Sequence, residues 1–280
     1  MHHELQEMAR SLRMGQKTRL SCHLCGNNNN SGCLSHEPRK YFFYCFSCGE
    51  SEYHDKGQQS LAELKRIKEL NDEALNQTRE VSLPEDITYD PASFSPEGRM
   101  WLFKAGITPK LIRRYGVGFS AASQRVVLPV YGEQRASSTE RPLLWLQARA
   151  VLRGQKPKYV QPSMDRSTII FNPTPGRITR LVIIVEDILS AIRVYEAVGH
   201  LGITAVSLLG TKITTGQVNV LSRADKCITW LDSDRAGRQG ATAISKALGL
   251  LCDVGNIRTV EDPKCHSNKQ ILEIVKCQVK

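Results

Sequence analysis

The chain has 280 residues, 41% of them hydrophobic and 24% charged, with a formal net charge of +10. That length supports a sizeable core and more than one domain, and the composition excludes wholesale disorder. No apolar run approaches the ~20 residues of a membrane span, and Met1-His2-His3-Glu4 lacks the apolar core of a secretion signal, so a cytoplasmic protein is expected.

Residues 1–18 carry a weak amphipathic pattern (Leu5, Met8, Leu12) that predicts a short helix. Two cysteine pairs come next, Cys22-His23-Leu24-Cys25-Gly26 and Cys45-Phe46-Ser47-Cys48-Gly49, with nineteen residues between Cys25 and Cys45. The chain has nine cysteines, and in a reducing compartment they point to metal or free thiols rather than disulfides. Each CxxC forms a tight knuckle whose glycine permits positive φ, and thiolates at four corners suit tetrahedral zinc. Cys22, Cys25, Cys45 and Cys48 are therefore predicted to hold one structural zinc ion. Cys33, His23 and His36 are further donors, but the pairs already fill four positions. Asn27 to Ser35 reads as a polar turn, and Tyr41-Phe42-Phe43-Tyr44 as a strand of a small all-β zinc ribbon over residues 1–55. The ribbon is either a purely structural knot or, through His23, Arg39, Lys40 and exposed aromatics, a contact to single-stranded DNA.

Residues 56–90 read as a linker, with helical spacing from Ser60 to Thr78. Residues 91–178 should form a mixed α+β subdomain. Pro96 to Ala105 and Pro109 to Tyr115 are short helices with proline near N1, broken by Gly116-Val117-Gly118-Phe119. Arg125 to Tyr131 and Leu143 to Val151 are paired strands across a polar loop, and Thr168 to Phe171 is another strand. Residues 86–180 carry 15 basic side chains against 6 acidic ones, which is almost all of the positive excess. Arg125, Arg149, Lys156 and Lys158 lie on or beside strands and are expected to grip phosphates of a template or nucleotide. The competing reading is a solvated basic face.

Residues 179–280 alternate strand and helix. Leu181 to Val185 and Cys227 to Leu231 are β-branched, unbroken and short, the mark of strands buried on both faces. A helical pattern comes after each, Ile188 to Val198 and Ala236 to Leu250, so the strands should be parallel with right-handed crossovers. In such sheets the ligand crevice lies at the carboxyl ends of the strands. Glu186, Asp232 and Asp234 fall there, and converging carboxylates repel one another unless a cation joins them, so a magnesium or manganese site is expected. Asp187 is well placed to cap the following helix. Ile203 to Leu209 is a third strand whose end points Lys212 at the same crevice. Thr215 to Leu221 is a helix, Cys252 to Val260 a last strand, and Lys269 to Val275 a last helix. No GxxxxGK[ST] is present, which excludes a P-loop motor.

Val185-Glu186 before one helix, and Leu231-Asp232-Ser233-Asp234-Arg235-Ala236-Gly237 before another, resemble the Toprim fold of primases, topoisomerases and some nucleases. With the four-cysteine ribbon and the basic middle segment, nearly the whole chain resembles zinc-ribbon DNA primases, above all the phage type. Arg125 to Tyr131, Gln147-Ala148-Arg149 and Pro157-Lys158-Tyr159 are similar to that family's basic subdomain, and Asp262-Pro263-Lys264 to its downstream acidic element. Many members have glycine at the position of Asp187 and aspartate at that of Ser190; Ser190 cannot supply that charge.

The resemblance implies synthesis of short RNA primers on a single-stranded DNA template from ribonucleoside triphosphates. Glu186, Asp232 and Asp234 would be the metal-holding catalytic set, with Asp262 as an outer partner and Asp187 as a compensating one. It also implies a DNA polymerase partner and, as phage primases are often fused to a helicase and this chain ends after the primase region, a replicative helicase acting in trans. A phage-encoded protein of this kind would work in the host bacterial cytoplasm. Two other classes compete: a Toprim topoisomerase or nuclease, and a non-catalytic zinc and Toprim recombination mediator. The first would need a nucleophilic tyrosine in a further domain, and the second would tolerate loss of the acidic edge.

Overall fold

The computed structural model describes residues 1–27, 29–37, 39–57, 81–134 and 141–279. The chain divides into two compact units, Met1–Thr78 and Arg79–Lys280. The linker helix expected from Ser60 to Thr78 lies outside the described residues.

In the first unit, α1 (His3–Ser11) precedes four strands: β1 (Lys17–Leu20), β2 (Gly32–His36), β3 (Lys40–Cys45) and β4 (Ser51–Asp55). They form an antiparallel sheet in sequence order. Leu5 and Ala9 of α1 pack on Leu34, Phe43, Cys22 and Cys45. The polar turn expected to run to Ser35 is shorter, because Gly32 to Ser35 belong to β2. Gly32 is needed there for space: a β-carbon would stand 2.6 Å from the Phe43 ring.

The second unit opens with β5 (Ile87–Thr88), α2 (Pro96–Lys104) and α3 (Pro109–Tyr115). Ser95 and Thr108 cap the helices through their hydroxyls, and proline occupies the first turn of each. Next come β6 (Gly118–Ser120), β7 (Arg125–Tyr131), β8 (Leu143–Ala150) and β9 (Tyr159–Val160), giving an antiparallel sheet in the order β5-β6-β7-β8-β9. The glycine break after α3 is thus itself partly a strand. The strand expected from Thr168 to Phe171 does not form. Only Phe171 bridges, antiparallel to Ser207, while Ile169 closes a turn onto the Arg166 carbonyl and its own carbonyl accepts from Gln217 Nε2 at 2.8 Å.

The remaining elements alternate: β10 (Leu181–Val185), α4 (Ile188–Val198), β11 (Ile203–Ser207), α5 (Thr215–Leu221), β12 (Lys226–Thr229), α6 (Arg235–Leu248), β13 (Asp253–Asn256) and α7 (Asn268–Val279). The four strands are parallel, in the order β11-β10-β12-β13. Alternate residues of the central strands enter opposite cores. Val182, Ile184 and Cys227 pack with Ala241, Ile244 and Leu248 of α6. Ile183, Val185 and Ile228 join Ile188 and Ile192 of α4, Ile271 and Val275 of α7, and the Phe119 and Trp145 core of the antiparallel sheet. Burial on both faces is why these strands are unbroken apolar runs. The shared core also fixes the antiparallel sheet against the parallel one. Among the described residues no helix is long and apolar enough to cross a membrane.

Candidate functional site

Glu186 stands one residue beyond β10, and Asp232 and Asp234 lie just beyond β12, its paired parallel neighbour. The end of β11 and the loop after it brace Glu186: Ser207 Oγ donates to its carbonyl at 2.7 Å and the Gly210 amide at 3.1 Å. Asp234 caps α6, accepting from the Gly237 amide at 2.8 Å. Asp187 caps α4, accepting from the Ser190 amide at 3.0 Å and the Ser190 hydroxyl at 2.8 Å. The capping role expected of Asp187 is present, and Ser190 serves the cap.

The acids share one electrostatic field. Burial first, then the charges of Asp232, Asp187 and Asp234, push the Glu186 carboxyl up to about 7. Burial likewise raises Asp232 to about 6; Lys264 opposes this, and Asp262, Asp187 and Asp234 add to it. Lys264 Nζ lies 2.9 Å from Asp187 Oδ2 and 2.8 Å from Asp262 Oδ2, and these acids hold its ammonium protonated well above the usual lysine range despite burial. Asp232 Oδ1 is buried with no hydrogen-bond partner. A hard divalent ion suits such oxygen donors, and an orphaned carboxylate oxygen among raised acids fits its presence. The set is open: among the described residues, only the four cysteines place three or more donor atoms all within 4.8 Å of one another. Magnesium tolerates openness, because it keeps several of its waters.

Beside the acids lies a basic cleft of about 460 Å³, lined by Arg149, Lys156 and Lys158 together with Trp101 and Arg153. The Arg149 guanidinium sits 5.6 Å from the Trp101 ring centre and 4.9 Å from that of Tyr159, and its Nε and Nη1 are buried without partners. Tyr159 links cleft and acids. Burial raises its hydroxyl, which also feels Arg149, Asp187 and Lys264. Lys212 is exposed, two residues past the Gly210 amide that braces Glu186.

Arg125 is a correction. It is only 6% exposed, and its guanidinium donates to the carbonyls of Ala148 at 3.3 Å and Pro157 at 2.8 Å. It ties β7 to β8 and to the turn before β9, and has no face left for a phosphate. His23 is likewise engaged within the ribbon, 3.3 Å from Glu52 Oε2 and 4.9 Å from the Phe43 ring centre.

The sulfurs of Cys22, Cys25, Cys45 and Cys48 converge as the pair spacing predicts. Cys33 and His36 stand outside; His36 Nδ1 is 2.6 Å from the Leu12 carbonyl. The Ser31 hydroxyl and nearby amides lower the Cys45 thiol to about 6. At Cys48 the Glu50 amide favours the thiolate, but burial and the neighbouring thiols outweigh it and raise that group to about 12. Four thiols so close cannot all ionise without a cation, and zinc would supply it.

Sequence reasoning missed Lys264, Trp101 and Tyr159 as site residues. Lys264 was legible only as part of Asp262-Pro263-Lys264, and nothing in the spacing brings Trp101 to Arg149.

Residues 180–256 match the Toprim domain family. No curated protein matches the chain. The structure is similar to the primase fragment of the bacteriophage T7 primase-helicase protein, with a TM-score of 0.50 and 12% identity over 94% of this chain and 99% of that one. The zinc-binding and RNA polymerase domains of the Aquifex aeolicus primase align over 99% of this chain and 86% of theirs, with a TM-score of 0.45 and 18% identity. The acidic edge at Glu186, Asp232 and Asp234 thus belongs to a Toprim domain, carried in a chain with the fold of a phage primase fragment.

Proposed function

We propose that this chain is a DNA primase, a DNA-directed RNA polymerase that makes short RNA primers on single-stranded DNA. The observation that carries this reading is the meeting, in one compact unit, of the carboxylates beyond β10 and β12 with the cleft of Arg149, Lys156 and Lys158. Acids that gather a divalent ion beside cations that hold phosphates suit phosphoryl transfer, where positioning and charge stabilisation supply most of the rate.

In the reaction, a 3′-hydroxyl oxygen attacks the α-phosphorus of a ribonucleoside triphosphate. The bond from that phosphorus to the bridging oxygen breaks and pyrophosphate leaves. Glu186, Asp232 and Asp234 would hold magnesium or manganese, which when bound neutralises charge on the phosphates. Lys158 and Lys156 hold template or triphosphate phosphates, and Lys212 reaches the same crevice from the loop that braces Glu186. Arg149, flanked by Trp101 and Tyr159, places its charge in the same cleft. Glu186 accepts the hydroxyl proton. The ribbon, with zinc on its four cysteines, selects where on the template synthesis starts. By resemblance, the protein works in the cytoplasm with a replicative helicase in trans and a DNA polymerase.

The test is incubation of the zinc-loaded chain with single-stranded DNA, ribonucleotides and magnesium, then separation of labelled RNA. Short RNA that disappears in Asp232→Ala supports the proposal. Synthesis that survives Asp232→Ala refutes the site assignment, nicking or relaxation without synthesis points to the other Toprim enzymes, and DNA binding alone points to a mediator.

A further inference from the structure

Five carboxylates surround the acidic site, but they are not equivalent. Asp187 and Asp262 already have a cation against them, since Lys264 Nζ lies 2.9 Å from one and 2.8 Å from the other. These are the distances of charge-assisted hydrogen bonds. The lysine is no loose surface side chain. It is 24% exposed and rises from a short turn, Pro263–Cys265, that begins on buried Pro263. The turn is pinned on both sides: the Cys265 amide donates to the Asp262 carbonyl at 2.9 Å, and Arg193 Nη2 on α4 donates to the His266 carbonyl at 3.0 Å. Asp187 is fixed in turn by the Ser190 amide and hydroxyl. By contrast, no ion pair falls on Glu186, Asp232 or Asp234 among the described residues, and Asp232 Oδ1 is buried with no partner.

We infer that Lys264 is a resident cation occupying the Asp187–Asp262 side of the acidic site, so that the chain binds one divalent ion, at Glu186, Asp232 and Asp234, and has no room for a second. The inference rests on the metal reading of those three carboxylates. A second ion on the Asp187–Asp262 side would have to break both contacts to Lys264. It would also stand beside an ammonium that its own turn holds in place, and like charges a few ångströms apart repel strongly where water is partly excluded. Lys264 thus does with a fixed single charge what a second ion does in a site made of carboxylates alone. It positions Asp187 and Asp262 and sets the ion count.

The experiment counts ions rather than turnover. Manganese is titrated into the zinc-loaded full chain and free manganese is read by electron paramagnetic resonance, while zinc is measured separately by its release. One manganese per wild-type chain and two per Lys264→Gln chain are expected. Glutamine keeps most of the side-chain stem while removing the charge. Asp187→Asn, which can still cap α4, should leave one ion bound, whereas Asp232→Asn should weaken that ion by at least tenfold. Two ions in the wild type, one ion in both wild type and Lys264→Gln, or loss of the ion in Asp187→Asn would each overturn the inference. No manganese in any chain would overturn the metal reading itself. Should Lys264→Gln fail to fold, the Asp187→Asn and Asp232→Asn pair still decides which side of the site the ion occupies.

Discussion

Gly237 lies directly against Asp232: a β-carbon built on Gly237 would overlap the Asp232 carbonyl oxygen and crowd its amide nitrogen at 3.2 Å. The first turn of α6 therefore abuts the loop that aims the Asp232 carboxylate, and only hydrogen fits between them. Gly237 is helical, so its role is space rather than a special backbone angle. Gly240, one turn on, does the same beside the loop after β11, where a β-carbon would stand 2.6 Å from the Thr211 carbonyl oxygen.

Gly237→Ala must push α6 away from Asp232. Helix propensity alone would favour alanine by about 1 kcal/mol. A net loss of stability, together with a fall in primer synthesis of at least tenfold, is the expected outcome. Thermal melting and labelled-primer assays check it, and a stabilised, fully active variant would contradict the tight contact between helix and loop.

The acidic cluster makes stability depend on pH and on divalent ions. Glu186 titrates near 7 and Asp232 near 6 in the folded chain, above the ordinary values of 4.5 and 3.8. A raised carboxyl favours the folded state while it is protonated. Its contribution is present at low pH and is lost as pH rises from the ordinary carboxylate range through about 7. Without added divalent ion, the melting temperature of Arg79–Lys280 should fall across that window. Magnesium should restore it at pH 7.5 and do little at pH 5, and an ion at 100 times its Kd adds about 2.7 kcal/mol. Melting curves at several pH values, with and without magnesium, read this directly.

Arg125 and Lys158 should separate structure from binding. Arg125→Ala leaves the buried Ala148 carbonyl and the Pro157 carbonyl without their donor and should cost about 1–3 kcal/mol of stability, with affinity for single-stranded DNA unchanged. Lys158→Ala should shift stability by no more than about 0.5 kcal/mol. It should weaken DNA binding and reduce the slope of log K against log salt by about 0.7. Denaturant melts and salt-dependent anisotropy titrations measure the two effects.

Zinc should govern one unit and not the other. Cys48→Ser removes one corner of the four-sulfur cluster, and structural zinc contributes roughly 10–16 kcal/mol of binding free energy to such sites. The variant should lose its one equivalent of zinc and its protection of Met1–Thr78 from proteolysis, while Arg79–Lys280 stays resistant. Zinc release assays, and limited proteolysis read by mass spectrometry, report both.

Much of this fold was legible without coordinates because it is written in local spacing. The unbroken runs at Leu181 to Val185 and Cys227 to Leu231 mark strands buried on both faces, although the second strand ends at Thr229. The residues just after a parallel strand lie at its carboxyl end, so Glu186, Asp232 and Asp234 could be assigned to one edge. The two CxxC pairs encode a four-sulfur cluster directly. Thr168 to Phe171 misled, because β-branched residues look like a strand wherever they are buried. Here Gln217 takes the Ile169 carbonyl and only Phe171 reaches a partner strand.

From its sequence alone, this protein was committed to a four-cysteine ribbon, a parallel sheet with an acidic edge, and a basic segment ahead of it, since each depends on periodicity or spacing within a few dozen residues. Tertiary structure decided which charges are free to act. Arg125 is spent on carbonyls, Arg149 is flanked by Trp101 and Tyr159, and Lys264 returns from beyond β13 to neutralise Asp187. The contacts of Arg149 with Trp101 and of Lys264 with Asp187 join residues tens of positions apart, and no local pattern in the chain records them.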